Sequence, residues 1–390
     1  MRLPARTKAH LPRARRVRAT AAGFVALLLT VGLYACQQNQ AVRVVGPARA
    51  TSAAEAGGMT ALIKAAQAEG RLNTTTLQRG WANYGGLIDS FERKYGIDVV
   101  VDNPYGHSQD EIDEIKRYRG KPNAPDVVDV GDTFAQSAAR EGLLAPYRVE
   151  RWDEIPENQK DPEARWYNGY GGYVSIGCDA NRVTRCPVSF SDLLEPEYKN
   201  MVALNGVPTM AGSAFAAVFA ASLANGGSFD DIRPGIEFFA VLDRVGNYNR
   251  GQPDTAAIGR GQTPISIQWD YLNLDHAAAF RGTHVDWKVS IPFDGSFSQY
   301  YAQAINKNAP HPAAARLWEE YLASPVGQNL RLVGHARPAQ MAAMAENGTL
   351  NKTLAAQLPT VEGTPQFPTS EQLAKALVTV RREWPKAMSE

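Results

Sequence analysis

The residues best suited to chemistry lie in the stretch QWDYLN, which spans positions 268–273. Ile265 and Ile267 alternate with polar residues, and this pattern predicts a half-buried strand over residues 265–268. Trp269 and Asp270 follow at the end of that strand. A Trp offers a flat face to an alkyl chain, a ring or a cation, and an Asp offers a charge partner to an amine. The stretch therefore indicates ligand contact; the alternative is a Trp that seals a domain interface beside a solvated Asp.

Two further groups of residues have types that suit ligand binding. Trp81, Asn83 and Tyr84 lie in a loop between a predicted strand and a predicted helix, where the alternative role for the Trp is packing at the base of the loop. Gly212 and Ser213 begin an apolar helix. The free N–H groups and the positive dipole end of a helix start suit a carboxylate, a phosphate or a phosphonate. The alternative for Ser213 is plain capping of that helix.

Acidic and histidine side chains complete the candidates. Asp132 follows the apolar strand DVVDV at a helix start, where it either faces a cleft or is an exposed loop acid. Ser108 and Glu111 have the spacing of a capping box at the start of another helix. The histidines are scattered, so they predict no metal site, and we expect no cofactor. Beyond the N-terminal 20 residues, which contain the sixth histidine of the chain, they are His107, His276, His284, His311 and His335.

No catalytic motif is visible in the chain. It has no GxSxG elbow, no HExxH and no pairing of a nucleophile with a histidine, so we expect a protein that is not an enzyme. A secreted hydrolase that uses paired carboxylates stays the alternative of another class, because the distance between two carboxylates is not visible in a sequence.

The N-terminal segment has the organisation of an export signal. Residues 1–20 carry seven basic residues and no acid, and residues 21–33 form an apolar run too short to span a membrane. The run ends in LYAC, which resembles the lipobox of bacterial lipoproteins and predicts lipidation of Cys36. We therefore expect a signal peptide over residues 1–36, a flexible tether over residues 37–58, and an extracytoplasmic protein anchored to the membrane by lipid.

Charge and cysteine content agree with export. The chain has 41 basic and 40 acidic residues, and removal of the seven basic residues of the signal leaves 34 against 40, about −6. No basic tract follows the signal, so a nucleic-acid partner is not expected. Cys178 and Cys186 are separated by turn-forming residues and predict a local disulfide in an oxidising compartment, rather than half of a zinc site.

Strands and helices alternate from residue 59 onward. The first part predicts helices over 59–70, 84–95, 108–119 and 133–144, with strands over 72–77, 97–101 and 126–130. This order is typical of a parallel α/β sheet, in which ligands bind beyond the carboxyl ends of the strands. Later segments predict strands over 171–176, 201–204 and 285–291 and helices over 213–223, 234–245 and 312–322.

Four segments together resemble a known family. They are WANYGGLIDSFERKYGIDV (81–99), PDVVDVGDTFAQSAAREGLLAPY (125–147), VSFSDLLEPEYKNMVAL (188–204) and AQAINKNAPHPAAARLWEEYLASPVGQNL (302–330). Their order and spacing resemble the type II periplasmic solute-binding proteins of ABC importers, in the cluster that holds spermidine/putrescine, ferric-iron and phosphonate binders. The likeness covers most of residues 59–340.

The resemblance implies an α/β fold with two discontinuous lobes and a central ligand cleft. Lobe one would hold residues 59–176 and 298–338, and lobe two residues 177–297 and 339–390. One ligand would be clamped between the lobes, and the closed form, a monomer, would dock on an ABC permease in the cytoplasmic membrane.

The same resemblance bears on single residues. Polyamine-binding relatives offer an aromatic residue from the loop at Trp81, and they have a Trp followed by a polar residue at Trp269-Asp270. Relatives that bind anions use a small-residue loop at Gly212-Ser213. Tyr300-Tyr301 suggest iron, since tyrosine pairs bind iron in some relatives. In those, however, the pair follows the strand that ends here at residue 268, and polyamine binders carry an acid at Tyr301.

These observations predict a substrate-binding lipoprotein that captures a small polar organic solute. The ligand would be an amine or a zwitterion, such as a polyamine or an aminophosphonate, with its cationic end at Asp270 and its anionic end at Ser213. Tyr300 and Tyr301 would line the cleft. A ferric-iron-binding protein of an ABC importer is the alternative. We expect Trp269→Ala to weaken binding while folding survives.

Overall fold

The computed structural model describes residues 45–361 and 367–389. The predicted signal peptide and Cys36 lie outside these residues. Within the described ranges, no helix combines the length and the apolar character needed to cross a membrane.

Helices and strands alternate from Met59 to Ala145, as the sequence predicts. The strands are β1 (Arg71–Thr75), β2 (Asp98–Asp102), β3 (Val127–Gly131), β4 (Leu144–Ala145), β5 (Tyr167–Asp179), β6 (Val202–Leu204), β7 (Tyr248–Asn249), β8 (Ile265–Trp269), β9 (Trp287–Ser290), β10 (Ser298–Asn306) and β11 (Arg337–Pro338). The α-helices are α1 (Met59–Glu69), α2 (Tyr84–Tyr95), α3 (Ser108–Arg117), α4 (Asp132–Arg140), α5 (Gly212–Ala224), α6 (Arg233–Arg244), α7 (Thr255–Gly259), α8 (Asp270–Ala279), α9 (Pro312–Ala323), α10 (Pro325–Val333), α11 (Met341–Glu346), α12 (Lys352–Ala355) and α13 (Ser370–Ala387).

The strands form a two-stranded parallel pair, β1-β2, and a larger sheet with the order β3-β10-β5-β8-β6-β7. β4 pairs with β10, whereas β9 and β11 pair with β5. The larger sheet is mixed rather than parallel. The β-α-β order of residues 72–130 predicts parallel neighbours, but β10, from late in the chain, lies antiparallel to β3 and fills the place beside it.

Strand β5 connects two halves of the larger sheet. Its first part, residues 167–173, pairs with β10, and its second part, residues 174–179, pairs with β8 and β9. We call the part built on β3, β4, β10 and β11, together with β1 and β2, the first half. The part built on β6, β7, β8 and β9 is the second half. All thirteen residues of β5 are buried, so this crossing strand is also part of the core.

Residues 45–58 correct the prediction of a flexible tether over 37–58. Ala50, Ala53 and Ala56 are buried, and the Arg316 side chain of α9 donates a hydrogen bond from Nε to the Ala50 carbonyl at 2.6 Å. Small side chains suggested a linker, but here they let the chain lie close against α9. Residues 37–44 of the predicted tether lie outside the described ranges.

The C-terminal segment contacts both halves. Asn329 of α10 donates to the Thr349 carbonyl at 2.8 Å, so the segment with α11 and α12 lies against the first half. In α13, the Trp384 ring lies 5.6 Å from Phe239 of α6 in the second half. The Arg381 guanidinium lies 5.8 Å from the ring of Phe134 in α4. The assignment of residues 339–390 to lobe two stays a prediction, and these contacts divide between the halves.

The predicted disulfide is present. Cys178 and Cys186 are bonded, with Cα atoms 5.8 Å apart. Since Cys178 lies in β5, the bond ties the end of the crossing strand to the loop that follows it.

Candidate ligand-binding cleft

A cavity of about 50 Å³ lies between the two halves. We call it the inner cavity. Its walls from the first half are Thr76, Trp81, Gly106, His107, Ser108, Glu111, Asp129 and Tyr301, and from the second half Asn205, Ala211, Gly212 and Ser213. Of the residues predicted to contact ligand, the structure therefore brings together Trp81, Gly212, Ser213 and Tyr301.

The start of α5 forms one wall of the inner cavity. The residue before the helix is Ala211, which has no side chain able to cap it, so Ser213 is not the cap. The Ser213 hydroxyl is buried and has no hydrogen-bond partner among the described residues. A Cβ atom at Gly212 would lie 3.0 Å from the Tyr301 hydroxyl and 3.4 Å from the Gly131 Cα. The glycine therefore allows the start of α5 to lie close to β3 and β10 without crowding. The first-turn N–H groups of α5 and a hydroxyl without a partner among the described residues thus lie at one helix start.

Glu111 contributes an acidic side chain to the same cavity. It is 1% exposed, and its Oε2 accepts a hydrogen bond from the Asp129 backbone N–H at 2.9 Å. Burial raises the pKa of Glu111 well above its ordinary value, and the nearby charge of Asp129 raises it further. No Lys or Arg lines the inner cavity, and among the described residues no basic side chain forms an ion pair with Glu111. Glu111 is therefore a buried acid without a cation.

The carboxylate of Asp129, the second in the cavity, is stabilised by hydrogen bonds and by a nearby positive charge. Its Oδ2 accepts from the Tyr170 hydroxyl at 2.6 Å, and its Oδ1 accepts from the Gln303 amide. The Arg331 guanidinium lies 4.0 Å from the ring centres of both Tyr84 and Tyr170. Burial raises the pKa of Asp129, and the positive charge of Arg331 opposes that rise. Asp129 therefore differs from Glu111, since both oxygens of Asp129 accept hydrogen bonds from side chains and a cation lies nearby.

Trp81 is held in place by bonds behind the cavity. Its indole Nε1 donates to the Tyr170 hydroxyl at 2.7 Å, and its ring meets Tyr301 edge-on at 5.4 Å. The chain turns sharply after it, because Ala82 and Asn83 adopt left-handed backbone angles with φ of 45° and 58°. Asn83 Nδ2 donates to the Leu330 carbonyl at 2.8 Å, which fixes the turn to α10.

Asn83 and Tyr84 thus support the cavity from behind. Neither residue lines the inner cavity. Tyr84 is fully buried against Arg331, and its hydroxyl is 3.3 Å from the Gln303 side chain. Asp132, at the start of α4, also lies outside the cavity lining. One of its carboxylate oxygens is buried without a partner in the described residues, and burial raises its pKa to about 7.

Trp269 and Asp270 lie behind the cavity wall rather than in it. Trp269 is 1% exposed, and its Nε1 donates to the Tyr301 hydroxyl at 3.3 Å. Asp270 is fully buried, pairs with the Arg337 guanidinium and accepts the backbone N–H groups of Tyr173 and Tyr271, each at 3.0 Å. The charge expected to meet a ligand amine at Asp270 is therefore already paired within the protein.

The adjacent tyrosines Tyr300 and Tyr301 point to opposite faces of β10, as neighbouring residues of a strand must. Tyr301 lines the inner cavity, whereas the Tyr300 ring lies 5.8 Å from Phe367. The two phenol groups cannot therefore meet at one ion. Among residues 45–361 and 367–389, no group of three His, Cys, Asp or Glu side chains is placed to hold a metal.

Sequence reasoning missed Glu111, and the reason is specific. Ser108 and Glu111 have the spacing of a capping box, but the residue before α3 is His107, and its N–H donates to Asp110 at 2.8 Å. The Ser108 hydroxyl accepts instead from the Gly131 N–H at 3.1 Å. A usable signal was present: Glu111 precedes Ile112 and Ile115 on the buried face of α3.

Comparison with solved structures defines the class of fold. AfuA from Actinobacillus pleuropneumoniae, a periplasmic binding protein with fructose-6-phosphate bound, matches with a TM-score of 0.61 and 19% identity over 83% of this chain and 98% of that chain. An ABC transporter substrate-binding protein from Bradyrhizobium japonicum USDA 110 matches with a TM-score of 0.62 and 17% identity, over 82% and 99%. Iron-bound HitA from Pseudomonas aeruginosa matches with a TM-score of 0.58 and 16% identity, over 80% of this chain and 99% of that chain. These likenesses confirm the α/β, two-lobe periplasmic-binding-protein fold.

A family comparison extends this result to the sequence. The model of the bacterial extracellular solute-binding proteins matches residues 123–356, and the chain belongs to this family. The described domain is accordingly extracytoplasmic. No curated protein sequence matches the chain. The solved relatives carry ligands as different as a sugar phosphate and iron, so the fold does not define the ligand.

Proposed function

We propose that this chain is the substrate-binding protein of an ABC importer and that its ligand is a small zwitterion. One end of the ligand is an amine, and the other is a carboxylate, a phosphate or a phosphonate. The observation that carries the proposal is that the inner cavity contains both a group suited to a cation and a group suited to an anion. Glu111, a buried acid without a cation, shares this cavity with the start of α5 and the unpartnered Ser213 hydroxyl.

The amine end belongs at Glu111. An ionised carboxylate buried without a partner is costly, and a ligand ammonium group relieves that cost by forming an ion pair. Trp81 and Tyr301, which line the same cavity, add aromatic faces that attract a cation. His107 lies beside them, and burial lowers its pKa, which disfavours the charged form of its ring.

The acid end belongs at Gly212 and Ser213. Their N–H groups lie in the first turn of a 13-residue helix, where the dipole favours negative charge. The Ser213 hydroxyl supplies a further donor, and the glycine at 212 lets a ligand oxygen approach the backbone. Carboxylate, phosphate and phosphonate oxygens all suit this arrangement.

Delivery to a permease follows from family membership and from the crossing strand. Since β5 runs from one half to the other, rotation about it would open and close the cleft, and the closed form would dock on the permease. We further propose that Cys36 carries a lipid anchor, that the protein acts as a monomer, and that it has no enzymatic activity.

The alternatives are less well supported. Iron would need the adjacent tyrosines to act together, and Tyr300 and Tyr301 point apart. A hydrolase would need a free carboxylate pair, and both oxygens of Asp129 accept hydrogen bonds from Tyr170 and Gln303.

Replacement of Ser213 by Ala tests the acid end. We expect the affinity for aminomethylphosphonate or glycine to fall by about 10-fold or more, because a hydrogen bond to a charged group contributes about 1.5–3 kcal/mol. The free energy of unfolding without ligand should not fall, since the hydroxyl has no partner to lose. Isothermal titration calorimetry and urea unfolding measure the two effects.

Ser222→Ala, at the other end of α5, is the matched control. The Ser222 hydroxyl donates to the Asp231 carbonyl at 2.8 Å, so its loss should lower stability and leave affinity unchanged. Equal affinities of the wild type and Ser213→Ala would contradict the proposed acid end.

A further inference from the structure

A second cavity, of about 330 Å³, adjoins the inner cavity. We call it the annex. Trp81 and Asn205 line both cavities, so the two spaces share a wall. The first half also contributes Gln78 to the lining, and the second half also contributes Gln252, Asp254, Gln268, Asp275 and Ala279.

The annex has the volume needed to receive part of the ligand. Binding cavities for small molecules usually measure about 300–1,000 Å³. The inner cavity, at about 50 Å³, holds only a head group, whereas the annex falls within the usual range. A solute anchored at Glu111 and Ser213 with any further atoms must direct them out of the inner cavity, and the annex is the adjoining space.

The lining of the annex defines what it can hold. Gln268 is 1% exposed, and its amide Nε2 donates to Ser266 Oγ at 3.3 Å and to Asn273 Oδ1 at 2.9 Å. These bonds fix the orientation of the amide, and no described residue donates to its Oε1, so this acceptor is left for a ligand. Gln78, Asn205 and Gln252 add further amides.

The charged side chains that line the annex narrow the class of ligand further. Asp254 and Asp275 line the annex, and no Lys or Arg does. Asp275 is paired with His335 at 2.8 Å, whereas Asp254 caps α7 by accepting the Ala257 N–H at 2.7 Å. His276 also lines the annex, and burial lowers its pKa to about 4, so it adds no positive charge near neutral pH. Acids and amide oxygens without a cationic side chain favour hydrogen-bond donors and disfavour a second negative charge.

We propose that the annex binds the uncharged or cationic, hydrogen-bond-donating tail of a zwitterion whose head group occupies the inner cavity. The proposal rests on the proposed function, since it takes the head-group site as given. It assigns the substrate class more narrowly: a zwitterion with an amide, hydroxyl, amine or guanidinium extension.

The test is calorimetric titration of glycine and aminomethylphosphonate as head groups, and of L-glutamine, L-arginine and L-glutamate as extended probes. Two variants block the annex from opposite walls: Ala279→Trp, on α8, and Gln78→Trp, in the loop after β1. Both positions are exposed, and if one variant fails to fold, the other still tests the annex. Ala278→Trp is the control, because Ala278 precedes Ala279 on the same helix and does not line the annex.

We expect glutamine or arginine to bind the wild type at least 10-fold more tightly than glycine, and glutamate to gain nothing. The blocking variants should remove the gain and keep the binding of the head groups, whereas Ala278→Trp should keep both. The annex proposal fails and the proposed function stands if glycine and aminomethylphosphonate bind but glutamine and arginine bind no more tightly than glycine. The same conclusion holds if both blocking variants still bind glutamine or arginine more tightly than glycine. If no probe binds, both fail.

Discussion

Glu111→Gln should lower the affinity for a zwitterionic ligand at least 100-fold. The ligand amine would then lose its ion-pair partner Glu111, and removal of one partner of a buried ion pair costs about 3–5 kcal/mol. Asp129 would not replace Glu111, because both of its carboxylate oxygens already accept hydrogen bonds from Tyr170 and Gln303. Gln keeps the shape and can still accept the Asp129 N–H, so the fold should persist. Calorimetric titration of aminomethylphosphonate into the wild type and the variant measures the loss.

The stability of the empty protein provides the control for this variant. Because burial raises the folded-state pKa of Glu111 above its ordinary value of 4.5, the folded protein binds this proton more tightly than the unfolded chain. Its contribution to the free energy of unfolding is therefore lost as pH rises from about 4.5 through the raised pKa. The Gln side chain of Glu111→Gln stays uncharged at every pH, so the variant does not lose this stability. The free energy of unfolding of the variant should therefore exceed that of the wild type by an amount that grows with pH across that window. Affinity within a few-fold of the wild type would show that Glu111 does not neutralise the ligand.

Trp269→Ala should lower the free energy of unfolding by about 3–5 kcal/mol, the usual cost of removing a buried Trp side chain. Trp269 is 1% exposed and packs parallel to Tyr271, with ring centres 6.3 Å apart. This replaces the sequence-based expectation that affinity falls while folding survives. Urea unfolding of wild type and variant measures the change, and any loss of affinity should come from displacement of Tyr301.

Trp269→Phe separates packing from hydrogen bonding. It keeps an aromatic ring against Tyr271 and loses the N–H that donates to Tyr301, so it should destabilise less than Trp269→Ala. If the free energy of unfolding of Trp269→Ala lies within about 1 kcal/mol of the wild-type value but the variant binds ligand poorly, Trp269 contacts the ligand directly. Its placement behind the cavity wall would then be wrong.

The fold could be predicted largely from local patterns. Helix α2 covers the predicted residues 84–95, and the glycine that follows it ends the helix in a left-handed conformation with φ of 67°. Such boundaries depend on neighbouring residues, which a sequence displays. The pairing of β10 with β3 joins residues about 170 positions apart, and nothing in either strand specifies that partner.

The site could be predicted only in part, for the same reason. The small residues at 212 and 213 and the aromatic residue at 81 have local signatures, and all three line the inner cavity. The state of a carboxylate depends on distant partners instead. Asp270 is paired with Arg337, 67 positions away, whereas Glu111 has no cation, and the sequence shows neither fact.

Calorimetric titration with a zwitterion and with its two singly charged halves shows whether the cleft binds both charges together. Aminomethylphosphonate combines both charges, whereas methylamine and methylphosphonate each carry one. If Glu111 and the start of α5 bind the two ends of one zwitterion, aminomethylphosphonate should bind the wild-type protein at least 100-fold more tightly than either half. If methylphosphonate or methylamine alone binds as tightly as aminomethylphosphonate, the cleft does not recognise a zwitterion and the proposed function is wrong.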